Sequence, residues 1–407
     1  MQSFNKDFIM ITWGETISMN TEESMERSWA EIDLNALTDN FCQIRELLHP
    51  ETKVLAVVKA NAYGHGAVAC AQTLLAAGAD YLGVATLEEA LQLRRAAISA
   101  PILILGYAAE CEAECLVRED ITPAVYSLSF AKALSAEAVR QNKRARIHLK
   151  VNTGMERIGF DVSDVQAMLA VSCLPNLYTE GIFTHLACAD EADSSGVHTQ
   201  FKRFTDVIDA LDAEGIHIPL QHILNSAGIF DFPEYQLTMV RPGIILYGYY
   251  PSAYIHRERA VLKPVMSVKS RVIHIHSVPK GAGISYGWTF VAPRNMRVAT
   301  VPIGYADGYK RGLSSKVFML ADGQRVPVLG KICMDQCMID IGSVHTIHVG
   351  DTVTVLGQEN GATVTADDLA ELCQTISYEI LCTIGARIPR LYVKDGRMLS
   401  REATGKF

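Results

Sequence analysis

From about residue 29 to residue 260 the chain alternates short apolar runs with stretches whose apolar positions recur at helical spacing. The runs include residues 54–58, 81–85, 101–105, 146–151, 181–185, 222–224 and 239–246, with helix-like segments between them at 34–48, 67–77, 87–97, 127–141 and 197–214. Strand and helix in alternation predict parallel βα units, and the length suits a closed (β/α)8 barrel of the TIM type. An open doubly wound sheet is the alternative, but no GxGxxG follows the first strand. Past about residue 261 the period changes. Residues 265–278, 297–302, 316–320, 325–329 and 352–356 read as strands, many with apolar and polar positions alternating, separated by turns such as Ala321-Asp322-Gly323. They predict a mostly β C-terminal domain closed by one helix over 366–384. The expected organisation is an N-terminal extension at 1–28, the barrel at 29–260 and the β domain at 261–407. The extension carries Met10, Met19 and Met25. It is expected to be dispensable, or to precede a later start such as Met25; a terminal element packed on the β domain is the alternative.

Composition narrows the function. Of 407 residues, 49% are hydrophobic and 20% charged, as in a globular chain, and the length suffices for a large core without disulfide or metal. Lys and Arg total 37 against 45 Asp and Glu, a net charge of -8, which argues against sequence-independent nucleic-acid binding. No apolar run approaches the roughly 20 residues of a membrane span. The island at 8–13, between Lys6 and Glu15, is too short for the core of a secretory signal, so a cytoplasmic location is expected. The ten cysteines are scattered, and Cys111/Cys115 and Cys333/Cys337 lack metal-site spacing. Small buried hydrophobes in a reducing compartment explain them better than a metal does.

Lys59 ends the apolar run VLAVVK and is followed by ANAYGHG. In a barrel the C-terminal strand ends form the active face. A lysine there is desolvated, which lowers its pKa toward the neutral amine that a Schiff base requires. A lysine snorkelling from a strand end reads equally well from spacing alone. The motif AVVKANAYGHG at 56–66 resembles the pyridoxal-phosphate lysine motif of bacterial alanine racemases. LKVNTGMERIGF at 149–160, THLACAD at 184–190, NSAG at 225–228, VRPGIILYG at 240–248, ISYG at 284–287, VPIGYADGY at 301–309, CMDQ at 333–336 and SYEIL at 377–381 follow in the order of that family. The matches run from residue 29 to 391, nearly the whole chain, and an ordered set is far more specific than any one motif.

The resemblance implies roles. Lys59 would hold pyridoxal 5'-phosphate as an aldimine and act as one catalytic base. Tyr286 would be the other, because racemisation needs an acid/base on each face of Cα. A tyrosine pKa near ~10 needs lowering, and the family supplies a relay that maps to His185 and Arg241; a satisfied core histidine is the bland alternative for His185. Arg241 would meet the pyridine nitrogen, to which it donates without leaving the ring protonated, so the electron sink is weakened and reprotonation at Cα is favoured. Tyr63, Ser226, Tyr378 and the amides of Gly243 and Ile244 would hold the phosphate, with Asn225 beside them. Arg157 would contact the substrate carboxylate and the cofactor's phenolic oxygen. Met334 would bind the carboxylate through its amide, with Tyr305 and Asp335 adjacent. Lys150 matches a lysine carbamylated in many members; as a bare ammonium it would be a like-charge neighbour of Arg157 and need another anion. Tyr286, Tyr305 and Met334 come from the second subunit in the family, which implies a homodimer with two shared sites.

Two departures from the family pattern stand out. Asn152 and Glu156 replace a common Asp and a small residue, which puts a new carboxylate beside Arg157, and Trp288 is bulky next to Tyr286. His274 and His276 share one strand face and read as surface residues, with no metal expected. The expected activity is interconversion of L- and D-alanine, supplying D-alanine for peptidoglycan. A serine or broad-specificity racemase is the alternative; Tyr378, by limiting room for a hydroxymethyl group, favours alanine. A barrel-type decarboxylase and a cofactor-carrying regulator fit the ordered motifs less well.

Overall fold

The computed structural model describes residues 26–402. Up to residue 25 the expected extension lies outside the described residues. Its last residues pack on the β domain: Arg27 donates to the Pro302 carbonyl and to Asp307, both at 2.6 Å.

The first strand, β1 (Ser28–Asp33), corrects the expected boundary. The alternation assigns it to the barrel, but it pairs antiparallel with Met266–Arg271 and parallel with Arg390–Lys394, in the sheet of the β domain. Local pattern identifies a strand before a helix, but not its distant partners. Asp33 ends β1 and caps the following helix, Leu34–Glu46, accepting N–H bonds from Asn35 and Ala36. The chain thus starts in one domain, crosses to the other and returns.

Eight parallel strands form the barrel: β2 (Lys53–Val57), β3 (Tyr81–Val84), β4 (Ile102–Ile104), β5 (Thr122–Val125), β6 (Ala145–Asn152), β7 (Leu177–Phe183), β8 (Leu220–His222) and β9 (Met239–Val240). β9 returns to β2, Val240 opposite Val54, and past β8 the Arg241 N–H donates to the Leu224 carbonyl at 3.0 Å. The runs found by pattern cover seven of these strands. The eighth, β5, is TPAV, four residues with an internal proline, too short to register as a run. The run at 239–246 is not one strand: it stops at Val240, Pro242-Gly243 breaks it, and Ile244–Tyr247 forms a 3-10 turn.

The β domain is one long, mostly antiparallel sheet, with His274–Val278 at one end and Arg397–Glu402 at the other. The run at 265–278 splits into Met266–Arg271 and His274–Val278, which pair with different strands. The single expected helix is two, Ala366–Cys373 and Ser377–Thr383, separated at Gln374 in the left-handed region (φ 54°). Thr365 and Asp368 cap the first through reciprocal side-chain to backbone bonds. The break sets Tyr378 in the first turn of the second helix, which reaches the mouth of the barrel.

Candidate active site

At the C-terminal ends of the barrel strands lies a cavity of about 450 Å³. Its walls include Lys59, Tyr63, Lys150, Arg157, His185, Asn225, Ser226, Arg241, Gly243, Ile244 and Tyr378, every barrel-side residue singled out from the sequence together with Tyr378 of the β domain. Tyr107, Phe183 and Asp190 also line it and were not singled out. Position at a strand end was the available signal for Tyr107, which lies just past β4.

The backbone after Lys59 is unusual. Ala60, Asn61, Ala62 and Tyr63 have φ of 53°, 54°, 54° and 51°, a left-handed turn built from residues with Cβ atoms. Such residues lose about 1–2 kcal/mol each in that conformation, so the surroundings must impose it. Asn61 accepts the Ala67 N–H at 2.7 Å and Glu89 accepts the Ala60 N–H at 2.6 Å. The turn brings the Tyr63 hydroxyl to Gly243, where a Cβ would stand 2.6 Å from it. The Gly243 N–H donates to the Ser226 hydroxyl at 2.9 Å, and the Tyr63 and Tyr378 rings lie 6.0 Å apart. Hydroxyls and amides converge on one corner. Asn225 works at its edge, capping Ser226–Asp231 by accepting the Gly228 N–H.

The rest of the cavity is basic. Burial, then the positive charge of Arg157, lowers the pKa of Lys59. Lys150 is 3% exposed, and among the described residues its amine meets the Val151 carbonyl at 3.5 Å and the Phe183 ring at 4.9 Å. Burial, Arg241 and Arg157 drive it well below its usual value. Arg157 is exposed and has no ion-pair partner among the described residues. Glu156 does not supply one: it adopts φ 54° and accepts from the Asn152 amide at 2.9 Å, while Asn152 in turn accepts the Glu156 N–H. The two departures from the family pattern thus bind each other.

Arg241 is buried. One terminal nitrogen donates to the His222 carbonyl and ring, each at 3.0 Å, and the other to the Thr184 and Ile223 carbonyls at 2.7 and 3.0 Å, with His185 Nδ1 at 3.5 Å. Its Nε–H has no partner among the described residues. Burial and Arg157 bring its pKa down to about 9, still cationic at neutral pH. Because a guanidinium can only donate, His222 Nδ1 must accept, so His222 Nε2 carries the proton and donates to His148 Nδ1 at 2.9 Å. His148 Nε2 then faces Glu180 Oε2 at 3.5 Å, and neither atom has another partner. This chain of neutral imidazoles behind Arg241 was invisible in the sequence, because no short motif joins residues 148, 180 and 222.

Four residues singled out from the sequence lie elsewhere. Tyr286, Tyr305, Met334 and Asp335 form no part of this cavity. Tyr305 and Met334 lie together in the β domain, where the Tyr305 N–H donates to the Cys333 carbonyl and the Ala306 N–H to the Met334 carbonyl, and Ser285, next to Tyr286, donates to the Lys331 carbonyl of the same loop. Tyr286 is 64% exposed and Met334 53%. Tyr286 sits between Ser285 and Trp288, both at positive φ (67° and 46°). Asp335 is held by Arg387 at 2.8 Å. His274 and His276 stack at 5.0 Å on the exposed end strand.

The donors fit pyridoxal phosphate. A lysine amine with a lowered pKa stands at the wall, hydroxyls and amides gather at one corner for a phosphate, an arginine N–H is free of protein partners, and Arg157 calls for an anion. Residues 32–251 match the family model "Alanine racemase, N-terminal domain" and residues 265–392 match "Alanine racemase, C-terminal domain". The alanine racemase of Methanococcus maripaludis is 47% identical over 367 residues, 90% of this chain and 98% of that one. The solved alanine racemase of Clostridium difficile 630 superimposes with a TM-score of 0.90 at 40% identity, covering 93% and 99% of the two chains. That of Bartonella henselae, solved with covalently bound pyridoxal phosphate, gives 0.80 at 31% identity, covering 90% and 100%. The chain belongs to the alanine racemase family.

Proposed function

We propose that the chain interconverts L- and D-alanine using pyridoxal 5'-phosphate held in the barrel cavity. The observation that carries this is the cavity's lining: the Arg157 and Arg241 guanidiniums and the Lys59 and Lys150 amines face Asp190 as the one carboxylate among the described lining residues, a lining suited to an anionic cofactor and an amino-acid carboxylate. The bound cofactor would supply a sink for the electron pair left at Cα. Lys59, with its pKa lowered by burial, holds the cofactor covalently and moves a proton on one face of Cα. The Tyr63, Ser226 and Tyr378 hydroxyls and the Gly243 and Ile244 amides hold the phosphate, with Asn225 fixing the turn. Arg241, with an N–H that has no partner among the described residues, would face the cofactor's ring nitrogen, and its charge would oppose protonation there. Arg157 binds the carboxylate.

The second base is Tyr286 of the partner subunit. Within one chain Tyr286 is exposed and outside the cavity, so a head-to-tail homodimer with two shared sites is part of the proposal. There Met334, Tyr305 and Asp335 would complete the carboxylate side, and His185 with Arg241 would face the tyrosine. Lys150 would carry a carbamate: burial and the neighbouring guanidinium charges disfavour its ammonium, the amine lone pair adds to CO2 with loss of one proton to solvent, and the resulting anion offsets Arg157 and Arg241. After removal of the cofactor, the native subunit mass should exceed that of the unmodified chain by one CO2; a bare amine in CO2-saturated buffer overturns this part.

We place the enzyme in the cytoplasm, in keeping with ten free cysteines, with D-alanine serving cell-wall peptide synthesis. Among the described residues no helix is long and apolar enough to cross a membrane. A chiral assay with L-alanine and L-serine in separate tubes tests the function. Fast D-alanine with little D-serine is expected; comparable D-serine overturns the substrate, and neither product overturns the activity.

A further inference from the structure

The left-handed turn after Lys59 cannot hold itself, and the barrel supplies only part of its support. The rest comes from the β domain. A Cβ on Gly64 would stand 2.4 Å from the Leu381 carbonyl oxygen, so the turn lies directly against the helix that carries Tyr378. Arg390, 5% exposed at the start of Arg390–Lys394, reaches under both segments. Its Nε–H donates to the Gly64 carbonyl at 2.9 Å. One terminal nitrogen donates to Gly385 and Ile388 carbonyls at 2.6 and 2.5 Å, and the other to the Ile384 carbonyl at 2.6 Å. One buried fork thus ties the end of the Tyr63 turn to the end of the Tyr378 helix. A lysine has three donors on one atom and cannot span four carbonyls set this far apart around a plane.

We propose that Arg390 is a positioning residue for the phosphate grip: it sets the Tyr63 hydroxyl against that of Tyr378. The inference rests on the pyridoxal-phosphate reading above. It divides the support of the turn in two. Glu89 fixes the Lys59 end through the Ala60 N–H, whereas Arg390 fixes the far end at Gly64. The far end bears on the phosphate, and the near end bears on the lysine.

The test measures equilibrium affinity of the full-length protein, stripped and reconstituted, for pyridoxal phosphate and for pyridoxal, which lacks the phosphate. Arg390→Lys should weaken pyridoxal phosphate about tenfold or more, the equivalent of one or two lost hydrogen bonds, and leave pyridoxal within about twofold. Glu89→Gln should weaken both alike. Unchanged affinity in Arg390→Lys, or equal loss of both compounds, overturns the proposal, since general loosening of the fold does not discriminate on phosphate. Hydrogen exchange on the unmodified protein covers the case in which the variant does not fold. Pyridoxal phosphate, but not pyridoxal, should protect residues 60–66 and 377–385 together; protection of one segment without the other contradicts the coupling. A wild-type protein that binds neither compound would instead sink the cofactor reading itself.

Discussion

The mouth of the barrel and the Tyr286 edge of the β domain are built in opposite ways. The first is enclosed and over-determined: Arg241 spends two of its nitrogens on carbonyls and imidazoles, the turn after Lys59 is braced from two domains, and the basic groups lining the cavity have no ion pair with a carboxylate among the described residues. The second is open. Tyr286, Trp288, Tyr305 and Met334 lie 41–74% exposed, on a backbone strained at Ser285 and Trp288. Exposed apolar clusters of this kind mark interaction sites, and backbone strain clusters where function over-determines it. The difference teaches that the proposed cofactor site is a closed feature of one chain, whereas the proposed second-base edge is open and solvent-facing within it.

The largest effect belongs to the enclosed region. Lys59→Ala should abolish racemisation and covalent cofactor retention together, read by activity and by visible absorbance; retained activity would remove Lys59 from the mechanism. Tyr286→Phe should cost about 10²–10⁴-fold in kcat, the usual contribution of a general acid or base, while the spectrum of the bound cofactor survives. Loss of both would mean that the exposed edge supports the cavity and does not complete it.

Stability sharpens the contrast, because among the described residues the buried imidazoles lie on the barrel side. His65 falls from 6.5 to about 4 through burial, and burial also lowers His148, His185 and His222. The unfolded chain takes up these protons first as pH falls below 6.5, so stability present above that value is lost on the way to pH 4. His65 alone accounts for about 3 kcal/mol of this loss. Urea unfolding at successive pH values should follow that slope; a flat profile from pH 7 to 4 would contradict neutral buried histidines. The smallest effect is expected of Glu156→Ala. Its carboxylate is committed to Asn152, so KM for alanine should stay within about twofold, and a larger change would show that Glu156 bears on Arg157 after all.

Much of this was legible in the sequence, for identifiable reasons. Residues 67–77 were expected as a helix and form Ala67–Ala77, because glycines bound the segment on both sides at positive φ. The barrel-side donors were legible because each follows a strand and sits in a contiguous motif. Four features were not. β1 carries a local pattern that suits either domain, and only its pairing decides. The left-handed turn at Ala60–Tyr63 contains no glycine, so no residue type announces it. The His222–His148–Glu180 chain and the reach of Arg390 to Gly64 join residues far apart in sequence, one link at a time. Long-range pairing of polar groups is set by the folded barrel, and no period in the sequence encodes it.

A site completed by a second copy is the central proposal for this enzyme, and subunit mixing tests it most directly. Lys59→Ala, expected to be inactive, and Tyr286→Phe, expected to be at least about a hundredfold slower, are unfolded together, refolded and assayed as mixed dimers identified by distinct affinity tags. One site of the mixed dimer then carries both lesions and the other carries neither, so the mixture should regain racemisation close to one wild-type site per dimer. Mixed dimers that form and stay inactive would contradict the shared site and return both bases to a single chain.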